Sequence, residues 1–209
     1  MRDLRGLENT ANLKNNFSYE VLYTMWATDL LPDEFCYEKV DENINNCENV
    51  INYIGTVSNS NENQLMTFAN ECKKNNIIFR FNDPWQNALT FDCNMKLIQK
   101  SIISPDIRGN GDIEKIAKGE TGTCHKKYGY IPCRIFKSIS YGCIGVTNSK
   151  HVYNLLENKV IYSDNERELL HLGIKNRKNK DLIIEQMNLV KDKHTYLNRI
   201  NDIINIVDL

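Results

Sequence analysis

Cys124-His125-Lys126-Lys127-Tyr128 is the densest run of reactive side chains in the sequence. A thiol beside an imidazole and two ammonium groups is placed where its thiolate is favoured, the condition for a nucleophilic or redox-sensing cysteine, so Cys124 is the redox candidate. Adjacent side chains of an extended segment point to opposite faces, so a direct contact between Cys124 and His125 is not expected there. The same run offers a second chemistry. His125 as base, Tyr128 as orienting group and Lys126 or Lys127 against phosphorane charge would serve for metal-independent cleavage of a phosphodiester. A surface loop with a spare cysteine is the plain alternative.

The remaining reactive residues carry no motif. The seven cysteines contain no Cys-x-x-Cys pair, and the spacings from Cys124 to Cys133 to Cys143 are too wide for a zinc knuckle, so no metal and no cofactor are expected. His-Glu-x-x-His, Walker and Gly-x-Ser-x-Gly patterns are also missing, which sets aside zincin, P-loop and serine hydrolase chemistry. His151, His171 and His194 fall in helical stretches, where a packed or solvated histidine is the default.

Composition narrows the class further. The 209 residues carry 26 basic and 27 acidic side chains, a net charge of -1, which argues against a basic nucleic-acid binder. With 41% hydrophobic and 25% charged residues the chain reads as a globular domain, and its many asparagines are dispersed rather than gathered in a tract. The charged start Met1-Arg2-Asp3-Leu4-Arg5 has no signal-peptide pattern, and no window offers the roughly 20 apolar residues that cross a bilayer. A soluble cytoplasmic protein with mostly buried free thiols is the expectation.

Elements able to position these groups follow from periodicity. Helices are expected from Ser18 through Ala27, over Asp41 to Ile54 with Gly55 as its end, and over Asn61 to Lys74. At Ile77 the pattern changes. Ile77 to Phe81, a turn at Asn82-Asp83-Pro84-Trp85, and Ala88 to Cys93 read as a hairpin. Helical spacing returns from Met95 to Ile102 and over Asp112 to Ala117, then Tyr130 to Phe136 and Ser140 to Val146 read as two antiparallel strands. Helices close the chain at Val152 to Leu156, at Glu166 to Leu172 with Ser163 as cap, and as one long helix from Asp181 to Val207. In that last helix Ile183, Val190, Leu197 and Ile204 recur every seven residues, a seam through which a homodimer could form.

The order of elements from Ile77 onward resembles the PAS and GAF superfamily of small sensory domains. Local detail lies in Gly119-Glu120-Thr121-Gly122, in Tyr141-Gly142-Cys143-Ile144-Gly145-Val146-Thr147-Asn148-Ser149-Lys150, and in Tyr162-Ser163-Asp164-Asn165-Glu166-Arg167-Glu168-Leu169-Leu170, which is similar to the closing strand, loop and Leu-rich helix of GAF domains. The resemblance implies an α+β fold: an antiparallel sheet of PAS/GAF type flanked by helices. Residues 1–75 would form a helical N-terminal portion packed on the sheet, 76–174 the PAS/GAF-like domain and 175–209 the C-terminal helix. It further implies a ligand cleft lined by Phe79, Phe91, Cys133, Ile135, Tyr141 and Cys143, with Arg80 and Arg134 available to an anionic group. The function expected is recognition of a small anionic or nucleotide-like ligand in a sensory or regulatory setting, without membrane or nucleic-acid partners. A nucleotide phosphodiesterase or lyase using His125, Tyr128, Lys126 and Lys127 is the alternative, and a protein-interaction module is the third.

Overall fold

Val50-Ile51-Asn52-Tyr53-Ile54 is rich in β-branched and aromatic side chains and has almost no exposed position, the pattern of a strand covered on both faces. In the computed structural model, which describes residues 24–58, 60–111, 126 and 129–207 (206 and 207 without side chains), this run is strand β1, Val50–Ile54. Helix α1, Lys39–Asn46, precedes it. Helix α2, Glu62–Lys74, carries the chain to strand β2, Ile78–Asn82, which pairs in parallel with β1, Val50 opposite Ile78 and Ile54 opposite Asn82. Helix α3, Phe91–Lys100, leads back to β3, Ser104–Asp106. Helix α4, Cys133–Ser140, precedes β4, Gly145–Thr147, and helix α5, Lys150–Leu155, precedes β5, Ile161–Tyr162. Strands β3, β4 and β5 form a second parallel sheet in that order. Helices α6, Glu166–Asn176, α7, Lys180–Lys193, and α8, Tyr196–Val207, follow.

The two sheets lie edge to edge. Ile102 N donates to Val50 O at 2.8 Å and Asn52 N to Ser101 Oγ at 3.0 Å, while at the other end Arg134 bridges Ile54 O and the Asp106 carboxylate. The strands therefore run side by side and in one direction in the order β2-β1-β3-β4-β5, with the order of succession reversing between β1 and β3. Helices α2 and α6 pack together on one face, and α1, α3, α4 and α7 pack on the other. Strand alternation separates the two layers at β4: Gly145 meets Ile139 of α4, and Val146 meets α6 at Gly173. The core between them holds Ile51, Tyr53, Phe68, Ile103, Ile135, Phe136, Val146 and Leu169.

This overturns the antiparallel PAS/GAF sheet. Helices and strands are both present, but every strand pairing is parallel and no hairpin occurs among the described residues. The individual misreadings have physical causes. Ile44, Cys47, Val50, Ile51 and Ile54 imitate a helical repeat, yet the helix stops at Asn46 and the second half is β1. The second strand of the expected hairpin is the start of α3, because Thr90 Oγ1 accepts from Cys93 N at 3.3 Å and caps a helix there. Tyr130 to Phe136 and Ser140 to Val146 are not two strands. Ile135, Phe136 and Ile139 share one buried helical face in α4, and only Gly145–Thr147 is extended. The long C-terminal helix is two helices broken at His194-Thr195, where Thr195 accepts from Asn198 N at 3.3 Å to restart α8. Thr24 to Ala27, the end of the first expected helix, are not helical; the rest of it and the helix at 112–117 lie outside the described residues. No helix among the described residues is long and apolar enough to cross a membrane.

Candidate functional site

In open parallel sheets ligands gather outside the carboxyl ends of the strands, where the order of succession reverses, because loops from neighbouring strands leave in opposite directions and open a crevice. Here that point lies between Ile54 of β1 and Asp106 of β3. Three loops meet at it. Residues 55–58, 60 and 61 lie between β1 and α2, residues 107–111 follow β3, and Asn148-Ser149 follow Thr147 at the end of β4.

The floor of the crevice is a buried charge cluster. Asp106, fully buried, accepts from Arg108 Nε at 2.8 Å and pairs with Arg108 Nη2 through the same Oδ1, while Thr147 Oγ1 donates to Oδ2 at 3.0 Å. Burial opposes the charge on Arg108, but the adjacent Asp106 outweighs it and the guanidinium is held above its ordinary range. Arg134, in the first turn of α4, brings a second guanidinium to the same carboxylate, Nη1 lying 3.7 Å from Asp106 Oδ1. Its Nε donates to Ile54 O at 2.8 Å and its head lies 4.2 Å above the Tyr53 ring. Nη1 itself is buried without a hydrogen-bond partner.

Two glycines make this approach possible. A Cβ at Gly55 would collide with the Arg134 guanidinium, and one at Gly109 would collide with the backbone of Ser60. Around them the loops are polar. Ser58 and Ser60 share a hydroxyl hydrogen bond of 2.8 Å, and Asn61 binds Ser58 N at 2.8 Å and Thr56 O at 3.1 Å, leaving the first turn of α2 without a side-chain cap. Asn148 ties the far wall together: it accepts from Arg108 N at 2.6 Å and donates to Arg108 O and Glu166 Oε1, both at 3.0 Å. Lys126 closes that side, its N donating to Gly109 O at 3.3 Å and its Nζ lying 3.8 Å from Glu166 Oε1. Among the described residues three cations thus face two carboxylates.

The sequence-derived residues scatter. Of the eight cleft candidates, Arg134 alone reaches the crevice. Phe79 lies half-buried on β2 with its ring 5.7 Å from Phe68 and 6.1 Å from Tyr53, and Arg80 is exposed on the same edge strand. Phe91 and Tyr141 are brought together between α3 and α4, edge to face at 6.1 Å. Tyr141 donates to Asp29 Oδ1 at 2.7 Å, and burial followed by that bond pushes its phenol pKa up. Cys133 is half-buried beside Arg134, while Ile135 and Cys143 are core residues. In the reactive run Lys126 is described, at the crevice; Cys124, His125, Lys127 and Tyr128 lie outside the described residues. Of the described cysteines Cys72 and Cys143 are buried, Cys47 and Cys133 half-buried, and Cys36 and Cys93 exposed. Among the described residues no three His, Cys, Asp or Glu side chains are grouped to hold a metal ion.

Asp106, Arg108, Asn148, Glu166, Gly55 and Gly109 were not singled out by sequence. For Gly55 and Asn148 the signal is positional: each adjoins the end of a short apolar run and precedes a helix, as in Ile54-Gly55 and Val146-Thr147-Asn148. Comparison with protein-family models, curated proteins and solved structures returns no match.

Proposed function

We propose that the chain binds a small anionic ligand, of phosphorylated nucleotide-like chemistry, in the crevice between the β1 and β3 loops. The observation that carries this reading is the unfilled hydrogen-bonding capacity of Arg134 Nη1, buried beside Asp106 and Arg108. A buried guanidinium donor with no acceptor costs about 1–3 kcal/mol, and an incoming phosphate oxygen would relieve that cost through a charge-assisted bond. The adjacent start of α2 has no side-chain cap. Regulatory rather than catalytic use fits this reading, in the cytoplasmic setting expected from the sequence.

Binding is tested with inorganic phosphate, nucleoside mono- and diphosphates and sugar phosphates by calorimetry and thermal shift. At least one phosphorylated compound binds and its unphosphorylated parent does not, and Arg134→Met weakens binding at least tenfold. Equal binding to Arg134→Met, or no binding by any phosphorylated compound, would overturn the reading.

Lys126 at the crevice rim favours one second reading, in which the bound nucleotide is cleaved with His125 as base, Tyr128 as orienting group and Lys126 or Lys127 as charge stabiliser. Recovery of the ligand unchanged after long incubation contradicts it, and loss of turnover in His125→Ala supports it. The interaction reading attaches to α8, whose Leu197, Ile200, Ile203 and Ile204 are each exposed by more than 40%. Ile183 and Val190 of the sevenfold repeat are buried within their own domain, so self-association would use α8 alone. Ile200→Glu tests it by sedimentation.

A further inference from the structure

Helix α8 is fastened at its first turn. Thr28 and Thr195 form a parallel β-bridge, Thr28 N donates to His194 O at 3.0 Å, and Arg199 reaches back so that Nη1 donates to Lys193 O at 3.0 Å and Nη2 meets His194 Nδ1 at 2.9 Å. Beyond Arg199, residues Ile200 to Ile204 are all exposed. One of these contacts, from Arg199 Nη2, is to the His194 imidazole. His194 is 5% exposed and stacks on Phe136 of α4 with ring centroids 5.0 Å apart.

We propose that His194 is a proton-operated latch, which seats the C-terminal helix while its ring is neutral and releases it when the ring is protonated. A guanidinium has only donors, so Arg199 requires His194 Nδ1 as an acceptor, and the ring proton then sits on Nε2. Nε2 is buried with no hydrogen-bond partner. Protonation converts Nδ1 into a second donor aimed at a cation, and the contact that fastens Arg199 becomes a repulsion. The charged groups facing the ring are Arg199 from α8, Lys193 from the end of α7 and Glu157 from the turn before β5; α4 presents the uncharged Phe136. Glu157 is itself paired with Lys193, so the balance around the ring is positive. Burial first, then Arg199 and Lys193, lower the His194 pKa from 6.5 to about 4. The seated state thus loses its advantage as pH falls from 6.5 towards 4 and keeps it above 6.5.

Amide hydrogen exchange on the full chain, corrected for intrinsic rates, tests this at pH 7 and pH 4.5. Protection across residues 196–204 is expected to fall about fiftyfold in the native chain while residues 184–190 of α7 keep theirs. His194→Asn retains an acceptor but does not titrate, and its α8 protection is expected to be the same at both pH values. An unchanged α8, an equal loss in His194→Asn, or a parallel loss in α7 overturns the latch. Titration of the His194 ring resonance in the native chain is independent of any variant: a midpoint near 4 agrees, and one at 6.5 or above overturns it.

Discussion

At the carboxyl ends of the strands Arg108, Arg134 and Lys126 share a crevice with Asp106 and Glu166, whereas at the amino ends the chain closes over thiols and aliphatic groups. Between Ile44, Cys47, Ile102, Cys143 and Ile183 the remaining space is about 20 Å³, room for one water. Polar groups there are used up: Asn43 Nδ2 and Gln99 Nε2 both donate to Tyr141 O, and Arg177 Nη1 donates to Cys47 Sγ at 3.0 Å. Among the described residues the amino end is closed by packing, and the carboxyl end gathers three cations around two carboxylates. That difference teaches where to look for a ligand, since Arg134 Nη1 is left without a hydrogen-bond partner at the end where the charges gather.

The strongest way to break the contrast is to remove the carboxylate at the crevice floor. Asp106→Ala leaves Arg108 buried without its counter-ion and brings Arg134 towards it unopposed, and denaturant unfolding is expected to show a loss of about 3–5 kcal/mol. At the amino end the same size of effect must come from packing instead. Ile98→Ala, in α3 at the closed end, is expected to cost about 3 kcal/mol while leaving ligand affinity within twofold. A change in affinity there would show that the two ends are coupled. A third contrast is chemical. Burial pushes the Cys143 thiol, and likewise Cys72, up to about 12, so at pH 8 both are expected to resist a thiol reagent that modifies exposed Cys36 and Cys93, with mass spectrometry reading the sites. Modification of Cys143 before Cys36 would mean that the amino end opens.

The legible parts of the fold were those whose local signals agree. Helix α2 lies where its apolar spacing places it, and α6 begins at Glu166, although Asn165 caps it and Ser163 instead donates to Glu168 at 2.7 Å. The sheet was illegible for a different reason. Strands of three and two residues, as β3 to β5 are, are too short to show alternation, and β1 is buried on both faces and so has none to show. Parallel order is set by crossovers through α2, α3 and α4, which no local pattern reports. Of the crevice, Arg134 was legible as a cation near apolar residues. Asp106 and Arg108 were not, because Pro105 reads as a helix stop rather than as the middle of a strand. Gly55 read as a helix cap for the same reason that β1 read as a helix.

The central claim is that Arg134 holds an open anion site at the switch in strand order, and affinity measured against stability in one variant tests it most directly. Native protein and Arg134→Met are titrated calorimetrically with the phosphorylated compound that binds best, alongside their unfolding in denaturant. The account predicts at least a tenfold loss of affinity, beside a stability loss of about 1–3 kcal/mol from the Nε bond to Ile54 O that the variant also removes. Unchanged affinity in the folded variant would contradict it and assign Arg134 to the fold alone.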